Sequence, residues 1–227
     1  YEELADKRKN IPIIHDRYFR LLINNGYVEQ AEKYVQKKAL RYYPDNILYQ
    51  LDAGVVNLRQ GKDAEAESYF TKVFAEAKSD PYKVRIVASH MIKHELIERA
   101  VSMYQTGRQA SGNPALYALE LANVYRRLNN TDQMVLEYLA YANEDPSRIS
   151  YVKNVLQNIL TEEEDLDAMA SLLLDRIQRD ADNPLYSELL IWINLQQKNF
   201  YGAFMQARAV DRRQRTDGDE VMYVAQI

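Results

Sequence analysis

Apolar residues recur along this chain with two superimposed periods. The shorter is helical: Ala31 is followed four residues on by Val35, Ala66 by Phe70 and Ala100 by Tyr104, a spacing that places both members on one face of an α-helix. The longer period is about 34 residues. One column of apolar positions runs Tyr18, Ala53, Val87, Leu121, Val155 and Leu190, and the column beside it runs Phe19, Gly54, Ala88, Ala122, Leu156 and Ile191. A second pair of columns, out of phase with the first, runs Ala31, Ala66, Ala100, Met134, Met169, Ala203 and then Val35, Phe70, Tyr104, Tyr138, Leu173, Ala207. No charged residue enters any of the four. A helix pair that stacks on copies of itself must present the same face each time, so these columns predict a chain of helical hairpins sharing one continuous core.

Punctuation follows the same ladder. The six prolines are Pro12, Pro44, Pro81, Pro114, Pro146 and Pro184, and four of them follow an Asp or Asn (Asp80, Asn113, Asp145, Asn183), a pairing suited to the start of a helix. Turn residues fall between the two helices of a unit at Asn25-Gly26, Gln60-Gly61, Asn129-Asn130 and Lys198-Asn199. The predicted fold is all-α over residues 1–227 as one solenoid. Its units are 12–43, 44–80, 81–113, 114–145, 146–183 and 184–217, with 1–11 and 218–227 as parts of flanking repeats.

Composition agrees with helices. Seven glycines and six prolines in 227 residues are too few for a β-rich domain of this size, and 47% hydrophobic content is ample for a core. With 29 basic against 33 acidic side chains the net charge is −4, the wrong sign for a dedicated nucleic-acid binder. The absence of cysteine removes disulfides, thiolate metal sites and cysteine nucleophiles. The densest apolar patch, Leu185 to Leu195, is interrupted by Ser187, Glu188 and Asn194, so no membrane span is expected. Localisation stays open between the cytoplasm and a bacterial periplasm.

The units resemble tetratricopeptide repeats, whose 34-residue pattern has a Leu-Gly pair and an aromatic in the first helix, then Ala, an aromatic and a closing Pro. The nearest matches are Ala53-Gly54, Gly61, Ala66, Phe70 and Leu121-Ala122, Tyr125, Tyr138, Pro146. Phe19 and Leu156 depart from the pattern, being bulky where the family has a small residue, and the family's tryptophan is missing throughout. The resemblance implies a right-handed α-solenoid of antiparallel helix pairs, here a piece of a longer bacterial protein of this family, whose first helices line a concave groove. Such proteins are non-catalytic scaffolds that bind a peptide or a partner domain. Two other roles stay open, a regulatory or positioning arm of a larger protein and a cell-envelope assembly scaffold. The carboxylate clamp of chaperone-adaptor members is not expected, because Asp16 and Arg20 stand where those members carry lysine and asparagine.

On that reading three first-helix columns become groove candidates. They run Asp16, Leu51, Arg85, Leu119, Lys153, Glu188; Arg20, Val55, Ser89, Asn123, Gln157, Trp192; and Asn24, Arg59, Lys93, Arg127, Thr161, Gln196. The expected partner-binding residues are Arg85, Ser89, Lys93, Asn123, Arg126 and Arg127. Four of the six are basic, which favours an acidic or C-terminal-carboxylate segment.

Catalytic chemistry has little footing. His90 and His94 have the i,i+4 spacing of a metal pair, but methionine follows His90 where a zincin has glutamate, and His94 is expected at a turn with its ring diverging. They read as a surface histidine and a turn histidine. Thr161 with Glu164 reads as a capping box rather than a cation site, and Arg208, Arg212, Arg213 and Arg215 as compensation of a helix dipole. Most of the 18 tyrosines fall at core positions, with Tyr42 and Tyr43 as less buried exceptions. No phosphate loop or nucleophile elbow occurs. No catalytic residue, metal or cofactor is expected.

Overall fold

The computed structural model describes residues 1–226. Helices dominate, and no strand occurs among the described residues. The chain forms two compact units, Tyr1–Asn113 and the remainder from Pro114.

In the first unit the short α1 (Glu2–Ala5) leads into α2 (Ile11–Asn24). Next come α3 (Val28–Tyr34), which passes through a π-helical stretch at Val35–Ala39, and α4 (Leu40–Tyr42). Two hairpins follow: α5 (Ile47–Arg59) with α6 (Asp63–Ala77), and α7 (Pro81–Lys93) with α8 (Ile97–Ser111). Capping sets the starts. Asn46 Oδ1 accepts from the amides of Leu48 and Tyr49 at 3.0 and 3.3 Å, and Asp80 Oδ1 accepts from those of Tyr82 and Lys83 at 2.9 and 3.3 Å. Each bond satisfies an amide that the first helical turn leaves orphaned.

The second unit contains α9 (Ala118–Arg127), α10 (Thr131–Glu144), α11 (Ile149–Ile159), α12 (Glu163–Arg179), α13 (Pro184–Gln196), α14 (Phe200–Gln214) and α15 (Asp219–Ala225). Helices α9 and α10 form a close hairpin, as do α13 and α14, whereas α12 packs on α10 and α13 rather than closely on α11. Asp211, near the end of α14, accepts from Thr216 Oγ1 and from the amides of Glu220 and Val221, and so anchors the start of α15.

The hairpin turns share one device. A residue with left-handed backbone stands two positions before the second helix at Gly26, Gly61, Glu95, Asn129 and Lys198, with φ between 53° and 75°. Glycine adopts that conformation at no steric cost; the other three pay a modest strain for the same turn. The α11–α12 connection has no such residue, and Glu162 is extended instead. This explains two departures from the sequence reading. Helix α12 begins at Glu163, so Thr161 lies one residue too early to cap it and no capping box forms. Val155 is only half-buried, because α11 is not clamped along its length by α12. A third departure is at Pro114, which does not open a helix: α9 starts at Ala118, after Tyr117 has itself turned left-handed at φ 64°.

Elsewhere the apolar columns are the core. Ala31, Ala66, Ala100 and Ala203 are fully buried, as are Val35, Leu173 and Ala207, and Phe70, Tyr104 and Tyr138 are nearly so. The small residue at position 54 is required by close approach: a Cβ there would stand 2.7 Å from Cε1 of Phe70.

Candidate functional site

Helix α5 is the most enclosed element of the first unit. Tyr49, Leu51, Asp52, Ala53, Gly54, Val55 and Val56 are all buried, so nearly its whole circumference is covered. The first helices on either side close over it. Phe19 on α2 and His94 after α7 meet edge to face at 5.3 Å between ring centroids, and Lys93 Nζ lies 3.4 Å from Asp16 Oδ1. Leu51 and Val55, expected to line an open groove, are therefore in the core at 0% and 1% exposure.

A charged residue in the middle of such a helix needs partners, and Asp52 has them. All three histidines of the chain converge on its carboxylate. His15 Nε2, from α2, lies 2.6 Å from Oδ2; His90 Nε2, from α7, lies 2.7 Å from Oδ1; His94 Nε2 lies 3.4 Å from the same Oδ1. Asp52 is fully buried and each histidine is at least nine-tenths buried. Burial alone would push the Asp52 carboxyl up, but His90 beside it and the bonds from His15 and His90, with His94 close by, outweigh this and hold it well below the usual carboxylate range.

The histidines are themselves positioned. His15 Nδ1 pairs with the Tyr34 hydroxyl at 3.1 Å, and its ring lies between Tyr49 at 3.9 Å and Phe19 at 5.9 Å between centroids. Burial pushes the phenol of Tyr34 upward, and that of Tyr49 up to about 12, so both phenols remain neutral across the physiological range. The rings of His90 and His94 stand 4.7 Å apart, edge to face. His94 Nε2 is buried without a hydrogen bond despite its nearness to Asp52, a situation that costs about 1–3 kcal/mol when nothing else satisfies the atom.

This arrangement corrects the expectation for His90 and His94. Neither is at the surface and their rings do not diverge, because the left-handed turn at Glu95 follows His94 and leaves it directed inward beside His90. Asp52, His90 and His94 form a set of possible metal donors whose ligand atoms all lie within 4.8 Å of one another. The sequence held one signal for it. Asp52 is a lone carboxylate within Leu51, Ala53, Gly54, Val55 and Val56, and a buried charge of that kind requires compensation; which residues supply it depends on how α2 and α7 close, and repeat spacing does not reveal that.

The six expected contact residues lie on exposed surface, three in each unit. Arg85, Ser89 and Lys93 form a row along α7 and edge a cleft of about 390 Å³ with Leu48, Tyr82 and His90 among its other walls. Asn123, Arg126 and Arg127 sit on the exposed side of α9, where the Asn123 amide donates to Leu119 O at 2.9 Å. In the second unit, Lys153, Glu188 and Trp192 from the same groove columns line a cleft of about 380 Å³ with Leu195 and Tyr223, and Lys153 pairs with Glu188 at 2.7 Å. Arg213 reaches back to the Ala181 carbonyl, so it serves the contact with the preceding unit as well as the end of its own helix. Tyr42 and Tyr43 are half-buried against Ile11, Ala39 and Tyr49, with the Tyr43 hydroxyl donating to Arg8 O at 3.2 Å. No described helix is long and apolar enough to cross a membrane.

Fold and repeat together define an all-α protein of successive antiparallel helix pairs with a period near 34 residues. Among solved structures the chain is similar to a tetratricopeptide repeat protein from Parabacteroides merdae ATCC 43184, at 14% identity and a TM-score of 0.34, over 95% of this chain and 98% of that one. No protein-family model and no curated protein matches the sequence.

Proposed function

We propose that this chain is a non-catalytic protein-binding scaffold that takes an acidic or C-terminal-carboxylate segment of a partner on its first-helix surface, with Arg85, Ser89, Lys93, Asn123, Arg126 and Arg127 as the polar contacts. The observation that carries this reading is the recurrence of two groove columns at exposed clefts: Arg85 and Ser89 in the first unit, and Lys153, Glu188 and Trp192 in the second. Tyr82, 72% exposed beside Arg85, adds an aromatic surface of the kind that interfaces favour. Four of the six proposed contacts are basic in a chain of net charge −4, so the ligand they suit is anionic. Arginine supplies a planar fork that matches a carboxylate through two parallel bonds.

The test is a peptide array of acidic segments, free and amidated at the C-terminus, with neutral counterparts. Wild-type protein is expected to prefer the acidic set, and Arg85→Glu combined with Arg127→Glu is expected to abolish the preference at unchanged helicity. Equal binding by wild type and the double variant removes this surface as the binding site.

A further inference from the structure

Asp52 uses its two oxygens differently. Oδ2 is engaged by His15, which Tyr34 steadies from behind, while Oδ1 faces both His90 and His94. One side of the carboxylate thus resembles the outer hydrogen-bonding layer that orients metal ligands, and the other gathers two imidazole nitrogens and an oxygen within 4.8 Å of one another.

We propose that Asp52 Oδ1, His90 Nε2 and His94 Nε2 form a binding site for a divalent transition-metal ion of the zinc type. The donor chemistry suits it: two imidazoles and one carboxylate are the ligands that borderline ions such as zinc prefer, and the harder magnesium and calcium ions want a full set of oxygens. Zinc held at about 2.0–2.1 Å from each donor puts neighbouring donors roughly 3.3 Å apart. His94 Nε2 and Asp52 Oδ1 already stand at 3.4 Å, an awkward separation for a hydrogen bond and a suitable one for two ligands of one ion. His90 Nε2 at 2.7 Å from Oδ1 must draw back by about half an ångström, exchanging a hydrogen bond for a bond to the metal.

A second observation is independent of the spacing. The lone nitrogen His94 Nε2 is buried and has no hydrogen-bond partner, and an orphaned buried polar atom in a native structure asks for an explanation such as an ion. Binding shifts the protons of His90 and His94 from Nε2 to Nδ1 or releases them to solvent, leaving neutral imidazoles and an ionised carboxylate around the ion. His15 keeps its partners throughout, since the Tyr34 hydroxyl can donate to or accept from Nδ1. His90 also lines the α7 cleft, the side from which an ion and a solvent ligand would enter. The bound ion joins α5 to the end of α7, within the stretch where the first unit closes on itself.

The test uses the full chain without an affinity tag, stripped with a chelator and titrated with zinc against a chromophoric competitor. The expected result is one equivalent bound, with cobalt in its place giving the visible absorption of a low-coordinate nitrogen and oxygen site. His94→Leu is expected to weaken zinc binding by at least about 100-fold while lowering the metal-free unfolding midpoint less than His90→Leu does, because His90 bonds Asp52 at 2.7 Å and His94 stands off at 3.4 Å. Should that variant not fold, His94→Gln keeps a polar side chain of similar reach and serves the same comparison. Folded wild-type protein that takes up no stoichiometric zinc overturns the proposal. So does binding that survives replacement of His94, which would place the ion elsewhere.

Discussion

Asp16 on α2 and Lys93 on α7 lie 3.4 Å apart although 77 residues separate them, so two first helices that flank α5 touch across it. The pair marks the closure without being what holds it. Both side chains are close to half exposed, at 44% and 47%, and ion pairs in that setting are worth about 0–1 kcal/mol. Lys93→Ala is therefore expected to change the stability of the chain by less than about 1 kcal/mol, and a urea unfolding curve followed by circular dichroism measures it. A larger loss would mean that the closure depends on its surface charges rather than on the core beneath.

Gly54 is where the core beneath is tightest. A methyl group at this position meets the ring of Phe70, itself 2% exposed and unable to swing into solvent. Gly54→Ala is expected to cost about 1–3 kcal/mol despite the better helix propensity of alanine. Combining it with Phe70→Leu should recover part of that loss, and a double-mutant cycle in denaturant gives the coupling. Strict additivity would show that the two positions do not oppose each other.

Much of this was legible from the chain itself. The 34-residue columns name the buried faces correctly, from Phe19 to Ile191 and from Ala31 to Ala203, because stacking forces each unit to repeat its contacts. What the period did not carry are the places where units differ. Leu51 and Val55 look like groove residues by column and are core residues in fact, since α2 and α7 close over α5, whereas Asn123 on α9 is exposed. Thr161 reads as a cap because its local pattern is right, yet the loop that would place it lacks the left-handed residue found in the other hairpins. The histidine cluster was out of reach for a related reason: His15 and His90 come to Asp52 from separations of 37 and 38 residues, and only the packing of three consecutive first helices brings them together.

Tyr34→Phe isolates the support behind the cluster. The hydroxyl it removes is the partner of His15 Nδ1, which is left buried and unsatisfied. The expected loss is about 1–3 kcal/mol, measured by thermal or urea unfolding of the metal-free chain. If the zinc site is as proposed, the same variant should bind zinc roughly 10-fold more weakly, as loss of an orienting hydrogen bond does in other metal centres. A variant as stable as wild type and equal to it in zinc affinity would show that His15 is held by its ring contacts alone.

Ala122→Arg probes the column register in the second unit. Ala122 is fully buried on α9, between Leu121 and Val124 in a helix of ten residues, and a guanidinium cannot enter that contact paired or solvated. The hairpin of α9 and α10 is expected to open locally, with faster amide exchange there and retained protection in α5 and α6. Unchanged exchange across α9 would refute the register.

Asp52 supplies the sharpest prediction, because its ionisation is tied to the fold. Its carboxyl is held below the ordinary range by His15, His90 and His94, with Tyr34 and Tyr49 the other titratable groups at the cluster. A carboxyl whose folded value lies below its unfolded value, about 3.9, contributes stability that is complete above that value and drains away as pH falls through it towards the lower folded value. Asp52→Asn removes the charge and keeps the shape, leaving histidine donors facing an amide, so at pH 7 it should cost about 3–5 kcal/mol. The gap between wild type and variant should then narrow steadily as pH is lowered from about 5 to about 2, since the wild type loses by protonation what the variant has already lost by substitution. Trp192 is the only tryptophan and lies in the second unit, so its fluorescence should shift little in this variant while the helical signal at 222 nm, to which both units contribute, shows the change. A gap that stays constant down to pH 2 would mean that Asp52 carries no proton-linked stability, and the three histidines would then be packing around a carboxyl rather than binding its charge.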